Sequence, residues 1–539
     1  MGLLSDPEHP VLGIDLGTTF SAIARWDGLG PEVYVGLEGT YTTQSVVYYQ
    51  EDCEDGDEYV VGELAYQQTL IEPQNGIIGV KRLMDNRDYA IVLGETKPKS
   101  HNPVQISSEI LRRLYKDVAE KFPGGKFKAK GLVVTVPYYF RANQRKNTRE
   151  AAEAAGLPNV LGIVDEPVAA SLSYAFDMLK NNGQKDHHEK ILVFDLGGGT
   201  FDLTVFDYRQ TADMLRFEVL GVGGDDRLGG MDFDRCIADY LISKEGIELK
   251  GFNDKEKRRC EEKLLKIARK GKEALAATKS YQLSQDGIPT RKGSFLSTRL
   301  TQDELQACIL DYLAEVADIV LQTCMFCNVI PARRVVDRKE IKETIATRGI
   351  DGLRDYFADH KITRVVRVGG SSKMLFFRRL LEAMFGADKV YSSRNPDLAV
   401  VEGAAIYAAY LYDPEVLGRK VEIIHRNSHA FGVAVKGGHF SPLIGRNVPL
   451  PANAQKCYTP VVDNITELEI KVYQGESDLA KDNAHVGTVH VRGLPPRPAR
   501  TLDIWITFDM NSEGLLMVTT EVKEKNQTLS LDVKPLETR

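Results

Sequence analysis

Two stretches of this chain share one layout, and together they constrain its fold more than any other feature of its 539 residues. Residues 11–27 read VLGIDLGTTFSAIARWD, and residues 191–207 read ILVFDLGGGTFDLTVFD. In each, an apolar run meets Asp-Leu-Gly, passes small residues and leaves as a second apolar run. The pattern predicts a strand, a glycine corner and a returning strand. Such a corner lets the backbone approach a phosphate closely and turn N–H groups toward it, because no Cβ intervenes. Thr18, Thr19 and Thr200 add hydroxyl donors. Asp15, Asp195 and Asp202 would repel a phosphate, so they call for a hydrated Mg²⁺ between the two. One corner alone would be an ordinary tight turn. Two copies, about 180 residues apart, predict related lobes that face each other across a triphosphate.

The rest of the chain fits that plan. Up to about residue 420, strand-like runs such as 132–140 alternate with helical stretches such as 141–156 and 260–278, an α/β pattern. After residue 428 come short alternating runs, from AFGVAV to TLSLDV, separated by Gly, Pro and Asn; these predict an antiparallel β-sandwich. Neither a GxxxxGK[ST] loop nor a GxGxxG fingerprint occurs, which argues against P-loop and Rossmann sites. A net charge of −7 with scattered positive residues gives no nucleic-acid footprint. No apolar run approaches the roughly 18 residues that span a bilayer. Seven dispersed cysteines without a secretory leader suggest a reducing, cytoplasmic setting. Cys324 and Cys327 stand in C-x-x-C spacing, but without a second pair they read as helix packing. The doubly charged stretch 331–361 reads as a solvated helical insertion.

The set GIDLGTTFS, VKRLM, VTVPYYF, IVDEPVAASLSYAF, FDLGGGTFDLTVFD, GGDDRLGGMDFD, VGGSSK and NPDLAVVEGAA, in that order, resembles the DnaK-type 70-kilodalton heat-shock chaperones of the actin and sugar-kinase superfamily. The resemblance implies a two-lobed, actin-like (ribonuclease H-like) ATPase domain over 1–418, a linker over 419–428 and a peptide-binding β-sandwich over 429–539. The helical lid of the family is not expected here, and an open groove would release peptide quickly.

The same resemblance distributes roles. Gly17, Thr18 and Thr19 would hold the phosphates from one side, and Gly197, Gly198, Gly199 and Thr200 from the other. Asp15, Asp195 and Asp202 would organise Mg²⁺, largely through water, with K⁺ as an accompanying cation. Lys81 would place charge and water at the γ-phosphate, and Glu166, with Pro167, would sense the nucleotide. Gly369, Gly370, Ser371, Lys373, Asp397 and Lys272 would hold the nucleoside of ATP or ADP. In the sandwich, Val433, Tyr458, Leu468, Ile470 and Ile504 map to a peptide pocket, with Lys436 and Val461 arching over it. For each of the five, plain sandwich core is the rival, since any β-sandwich needs alternating apolar residues.

Several positions depart from the family pattern. Arg269 stands where Glu is usual, Ala276 where Ser is usual, and Met231 where Glu is common. Each lost polar partner would cost on the order of 1 kcal/mol, so looser nucleotide binding is expected. Lys436 replaces an apolar arch residue, which favours acidic segments or weak binding. Gly162, Glu422 and His425 weigh against the usual J-domain partnership, whereas unfolded polypeptide and a nucleotide-exchange factor remain expected partners. The leading expectation is an ATP-driven chaperone. A nucleotide-binding scaffold with little peptide-coupled hydrolysis is the alternative, and a small-molecule kinase leaves the sandwich unexplained.

Overall fold

The computed structural model describes every residue except 1–5, 54–57, 183–185, 292, 332–335, 393–394, 513, 525–526, 530–535 and 538–539. The chain divides into two compact units. The first comprises Met1–Tyr139, Asn147–Leu215 and Val222–Val421; the second comprises Phe140–Lys146, Arg216–Gly221 and Glu422–Arg539. Within the expected linker, Lys420–Ile424 is a strand.

Both Asp-Leu-Gly stretches fold as antiparallel hairpins. Val11–Asp15 pairs with Phe20–Trp26, and His187–Leu196 pairs with Phe201–Gln210. Each hairpin also continues into parallel neighbours, and the two sheets do so in the same way. Val11–Asp15 lies beside Gly131–Val136, which lies beside Val160–Asp165. His187–Leu196 lies beside Arg364–Val368, which lies beside Val390–Ser392. Central parallel strands need apolar residues on both faces, and Gly131–Val136 is buried along its whole length.

Helix Ala399–Tyr412 packs at very short range on the first sheet, at Gly13, and on helix Glu166–Asn182, at Ala169. A Cβ on Gly13 would stand 2.2 Å from the Ala405 nitrogen, and one on Gly403 would stand 1.7 Å from the Ala169 carbonyl oxygen. These neighbours are backbone atoms that cannot rotate away. Gly403→Ala is therefore expected to destabilise the first unit by about 1–3 kcal/mol through overpacking, measurable by urea denaturation.

Two sequence expectations change. The helix expected over 260–278 spans Asp254–Ala274, because Asn253 forms a capping box with Glu256 and starts it earlier. The stretch 331–361 is not simply solvated. It contains helix Arg338–Arg348 and the short helix Ile350–Phe357, which bury Ile341, Ile345, Leu353 and Phe357. Phe357 meets Phe385 edge-on at 5.3 Å.

The second unit is built of antiparallel strands in two sheets. One runs Phe440–Ile444, Phe431–Ala434, Glu467–Gln474, Ala484–Arg492; the other runs Ala452–Tyr458, Asp503–Met510, Leu516–Glu524, Gln527–Leu529, with Leu536–Glu537 on Leu516–Glu524. Alternate residues, such as Ile504, Ile506 and Phe508, turn into a shared core with Val472, Val489 and Val491. The last expected run, TLSLDV, is a strand as far as Leu529, and 530–533 lie outside the described residues.

Candidate nucleotide site

Within the first unit the two glycine corners meet. A Cβ on Gly198 would lie 1.8 Å from Thr19 Oγ1, and one on Gly199 would lie 2.3 Å from Thr18 Cγ2. Glycine is required at both because the opposing corner already fills the space. The second corner is held by further backbone bonds: Gly197 N–H donates to the Thr200 carbonyl at 3.0 Å, and the Met231 N–H to Gly198 at 2.8 Å. Ser371 Oγ donates to the Gly197 carbonyl at 2.8 Å. Thr19 Oγ1 is buried without a hydrogen-bond partner.

Beside the corners opens a cavity of about 410 Å³, lined among others by Asp15, Lys81, Glu166, Asp195, Thr200 and Lys272. That volume lies within the roughly 300–1,000 Å³ usual for small-molecule sites. Lys81 sits on the short helix Val80–Leu83, which follows Gly79 at φ 72°. Glu166 opens helix Glu166–Asn182. Their side chains form a buried ion pair, Nζ to Oε1 at 2.5 Å.

Three aspartates surround that pair. Asp15 accepts from Thr135 Oγ1 at 2.9 Å. Burial and then the Glu166 charge push its carboxyl up to about 7, against the pull of Lys81 and Thr135. Asp195 and Asp202 stand directly opposite each other across their hairpin. Burial, followed by the charges of Glu166, Asp202 and Asp15, holds Asp195 well above the carboxylate range. Asp202 is pushed up to about 8 by burial and Glu166, although it accepts the Tyr139 N–H at 3.0 Å. It lies behind the cavity wall, as does Gly199.

These shifts imply a pH dependence. In the native protein Asp15 and Asp202 keep protons up to about 7 and 8, whereas an unfolded aspartate releases its proton near pH 4. The native state binds more protons in that window, so stability falls as pH rises through it. Ligand-free protein should melt at a lower temperature at pH 8 than at pH 5, and adding ADP with magnesium should shrink the difference. A melting temperature that rises between those values would contradict the shifts.

At the far end of the cavity, Gly369 adopts φ 79°, and a Cβ there would lie 2.5 Å from the Leu196 carbonyl oxygen. Lys373 pairs with Asp397, as the loops bearing them come together. Lys272 does not stand free. Its ammonium bonds the Gly230 carbonyl at 2.8 Å and pairs with Asp234 at 2.7 Å. Arg269, the departure from pattern, reaches the same carboxylate at 3.2 Å, and its guanidinium lies 5.7 Å from the Tyr66 ring centre. Asp234 thus neutralises two cations and was not singled out from the sequence. Its place four residues after Gly230, on the helix that follows the GG pair, was the available signal. Arg82 was missed as well: it bonds the Gly199 carbonyl at 2.9 Å and forms a forked pair with Asp232.

In the second unit, Val433, Ile470 and Ile504 lie in the buried core, while Tyr458 and Leu468 are partly buried against it. Tyr458 faces Ile504 across a strand pair, and its hydroxyl meets Ser441 Oγ at 3.0 Å. Lys436 and Val461 are exposed.

The Hsp70 protein family model matches residues 11–329 and 340–538. The chain belongs to the Hsp70 family. It is similar to the chaperone protein DnaK of Deinococcus proteolyticus, at 33% identity over 97% of this chain and 78% of that protein. DnaK of Thermotoga petrophila is 33% identical over 96% of this chain and 78% of its own length, and DnaK of Cyanidioschyzon merolae 34% over 97% and 81%. Residues 330–339, left unmatched in this Hsp70 chain, fall at the start of the charged stretch that packs through Ile341 and Phe357. No helix among the described residues is long and apolar enough to cross a membrane.

Proposed function

We propose that the cavity of the first unit is the ATP site of an actin-like, two-lobed ATPase and that the second unit grips extended apolar segments of unfolded polypeptide. The chain is an ATP-dependent chaperone of the Hsp70 family. The observation that carries the site assignment is the meeting of the two glycine corners beside a buried lysine and its carboxylates.

The residues fit a magnesium nucleotide. Asp15 and Asp195 are buried acids whose charges repel each other and Glu166, which a cation would relieve. Among the described residues no three acidic, histidine or cysteine side chains converge to hold a metal directly, which favours holding through water. Asp15 and Asp195 would hold Mg²⁺, largely through water, and its positive charge would offset that of the carboxylates and the phosphates. The protein supplies the rest. Thr18, Thr19 and the Gly198 backbone N–H donate hydrogen bonds to the phosphates, while the Gly197 N–H stays on the Thr200 carbonyl and closes the corner; Lys81, oriented by Glu166, stabilises the charge that develops as water attacks. Arg269, Asp234 and Lys272 form the wall at the nucleoside end. A nucleotide-exchange factor belongs with this reading, and Gly162, Glu422 and His425 keep the usual J-domain partnership out of it.

Single-turnover ATP hydrolysis with and without an unfolded peptide tests the proposal. Hydrolysis that peptide accelerates supports it; hydrolysis indifferent to saturating peptide refutes the coupling.

A further inference from the structure

Away from the nucleotide site, the first unit contains another cavity, of about 620 Å³. It lies past the end of strand Val46–Tyr49, beside helix Glu63–Thr69, the short helix Pro73–Asn75 and the turn from Ile91–Leu93 to Lys99–His101. Among the described residues, four carboxylates line it, those of Glu51, Asp52, Glu72 and Glu95, and no lysine, arginine or histidine does. Lys97 and Lys255 reach Asp52 and Glu95 from outside the lining, at 2.8 and 2.5 Å.

The neutral part of the wall is one-sided too. Gln68 Oε1, Gln74 Oε1 and Asn75 Oδ1 are buried acceptors without a partner. Asn75 is only 5% exposed, and its Nδ2 is already engaged with the Tyr49 carbonyl and Glu51, each at 3.4 Å. Gln74 spends its Nε2 on Glu95 at 2.8 Å, which leaves its oxygen as the open end. The donors on this wall are already spent on carboxylates, the Tyr48 hydroxyl on Glu72 and the Thr96 hydroxyl and the Glu95, Thr96 and Lys97 N–H groups on Glu51; buried acceptors are normally satisfied, so the three amide oxygens are left short of donors.

A metal ion would need its oxygens gathered at about 2.3–2.6 Å, and among the described residues no such acidic cluster exists. Carboxylates and amide oxygens spread around a cavity of this size suit a longer cation with several N–H groups. We infer that this cavity binds an N–H-rich organic cation, either a free linear polyamine or an arginine side chain presented by a partner.

Calorimetric titration of the full chain with spermidine, with a blocked arginine tripeptide and with calcium chloride tests this. Saturable binding of either organic cation is expected, weakened at least about tenfold by Glu72→Gln or by the milder Glu95→Gln, with ATP affinity unchanged. Spermidine alone binding would identify a free small cation, and the tripeptide alone a partner's side chain; each supports the site. Absence of saturable binding by both, equal binding by the folded variants, or calcium binding in their place would overturn it.

Discussion

Replacing Lys81 with alanine is expected to slow single-turnover ATP hydrolysis by about 10²- to 10³-fold, the range seen when one preorganised charge-stabilising group is removed. Lys81 is 3% exposed and paired with Glu166 in a site that also holds Asp15 and Asp195. Its ammonium opposes the upward shift of Asp15, Asp195 and Asp202. Without it, phosphate would meet Asp15, Asp195 and Glu166 with no ammonium among them, because the other cations of the lining, Arg269, Lys272 and Lys373, are paired with Asp234 and Asp397. Glu166 would lose its partner, and an unpaired buried charge typically costs about 3–5 kcal/mol unless it takes up a proton. Measuring ATP binding by calorimetry and folding by thermal melting alongside hydrolysis separates lost chemistry from lost structure. Arginine should not restore the rate, because its planar fork cannot occupy the place of a compact ammonium. A folded, ATP-binding Lys81→Ala protein that hydrolyses within about threefold of the parent would remove Lys81 from the chemistry.

The corners were legible because their evidence is local. Asp-Leu-Gly between two apolar runs predicts a hairpin turn wherever it occurs, and the repeat implied that two such turns oppose each other. Their contact, Thr18 and Thr19 against Gly198 and Gly199, explains why the second copy carries three glycines. The nucleoside end was harder to read. Lys272 matched a family contact, but its engagement with Asp234 and Gly230 depends on how helix Asp254–Ala274 packs on helix Gly230–Glu245. Residue spacing along one helix does not reveal its neighbour. The same holds for Arg269, which looked like a lost hydrogen bond and is in fact an ion pair with a ring contact. The stretch 331–361 misled for a different reason. Its charges outnumber its apolar residues, yet among the described residues five buried apolar side chains, Val336, Ile341, Ile345, Leu353 and Phe357, are enough to anchor it.

Leu468→Asp is expected to weaken binding of an extended apolar peptide by about 10- to 100-fold, the equivalent of burying one leucine side chain, while ATP affinity stays unchanged. Leu468 and Ile470 lie two apart on strand Glu467–Gln474, so both turn to the same sheet face. Their burial differs. Ile470 is 5% exposed and belongs to the shared core, whereas Leu468 is only partly buried against that core. A carboxylate at 470 would be an unpaired charge in a closed core and should unfold the second unit. At 468 the carboxylate keeps contact with water, so the unit should fold and lose only its apolar grip. Fluorescence anisotropy of a labelled peptide, with melting curves for both variants, distinguishes the two cases. If Leu468→Asp folds and still binds peptide within about twofold, the apolar groove does not include this face. Binding would then depend on surfaces such as exposed Val461 and Lys436, where the positive charge favours acidic segments.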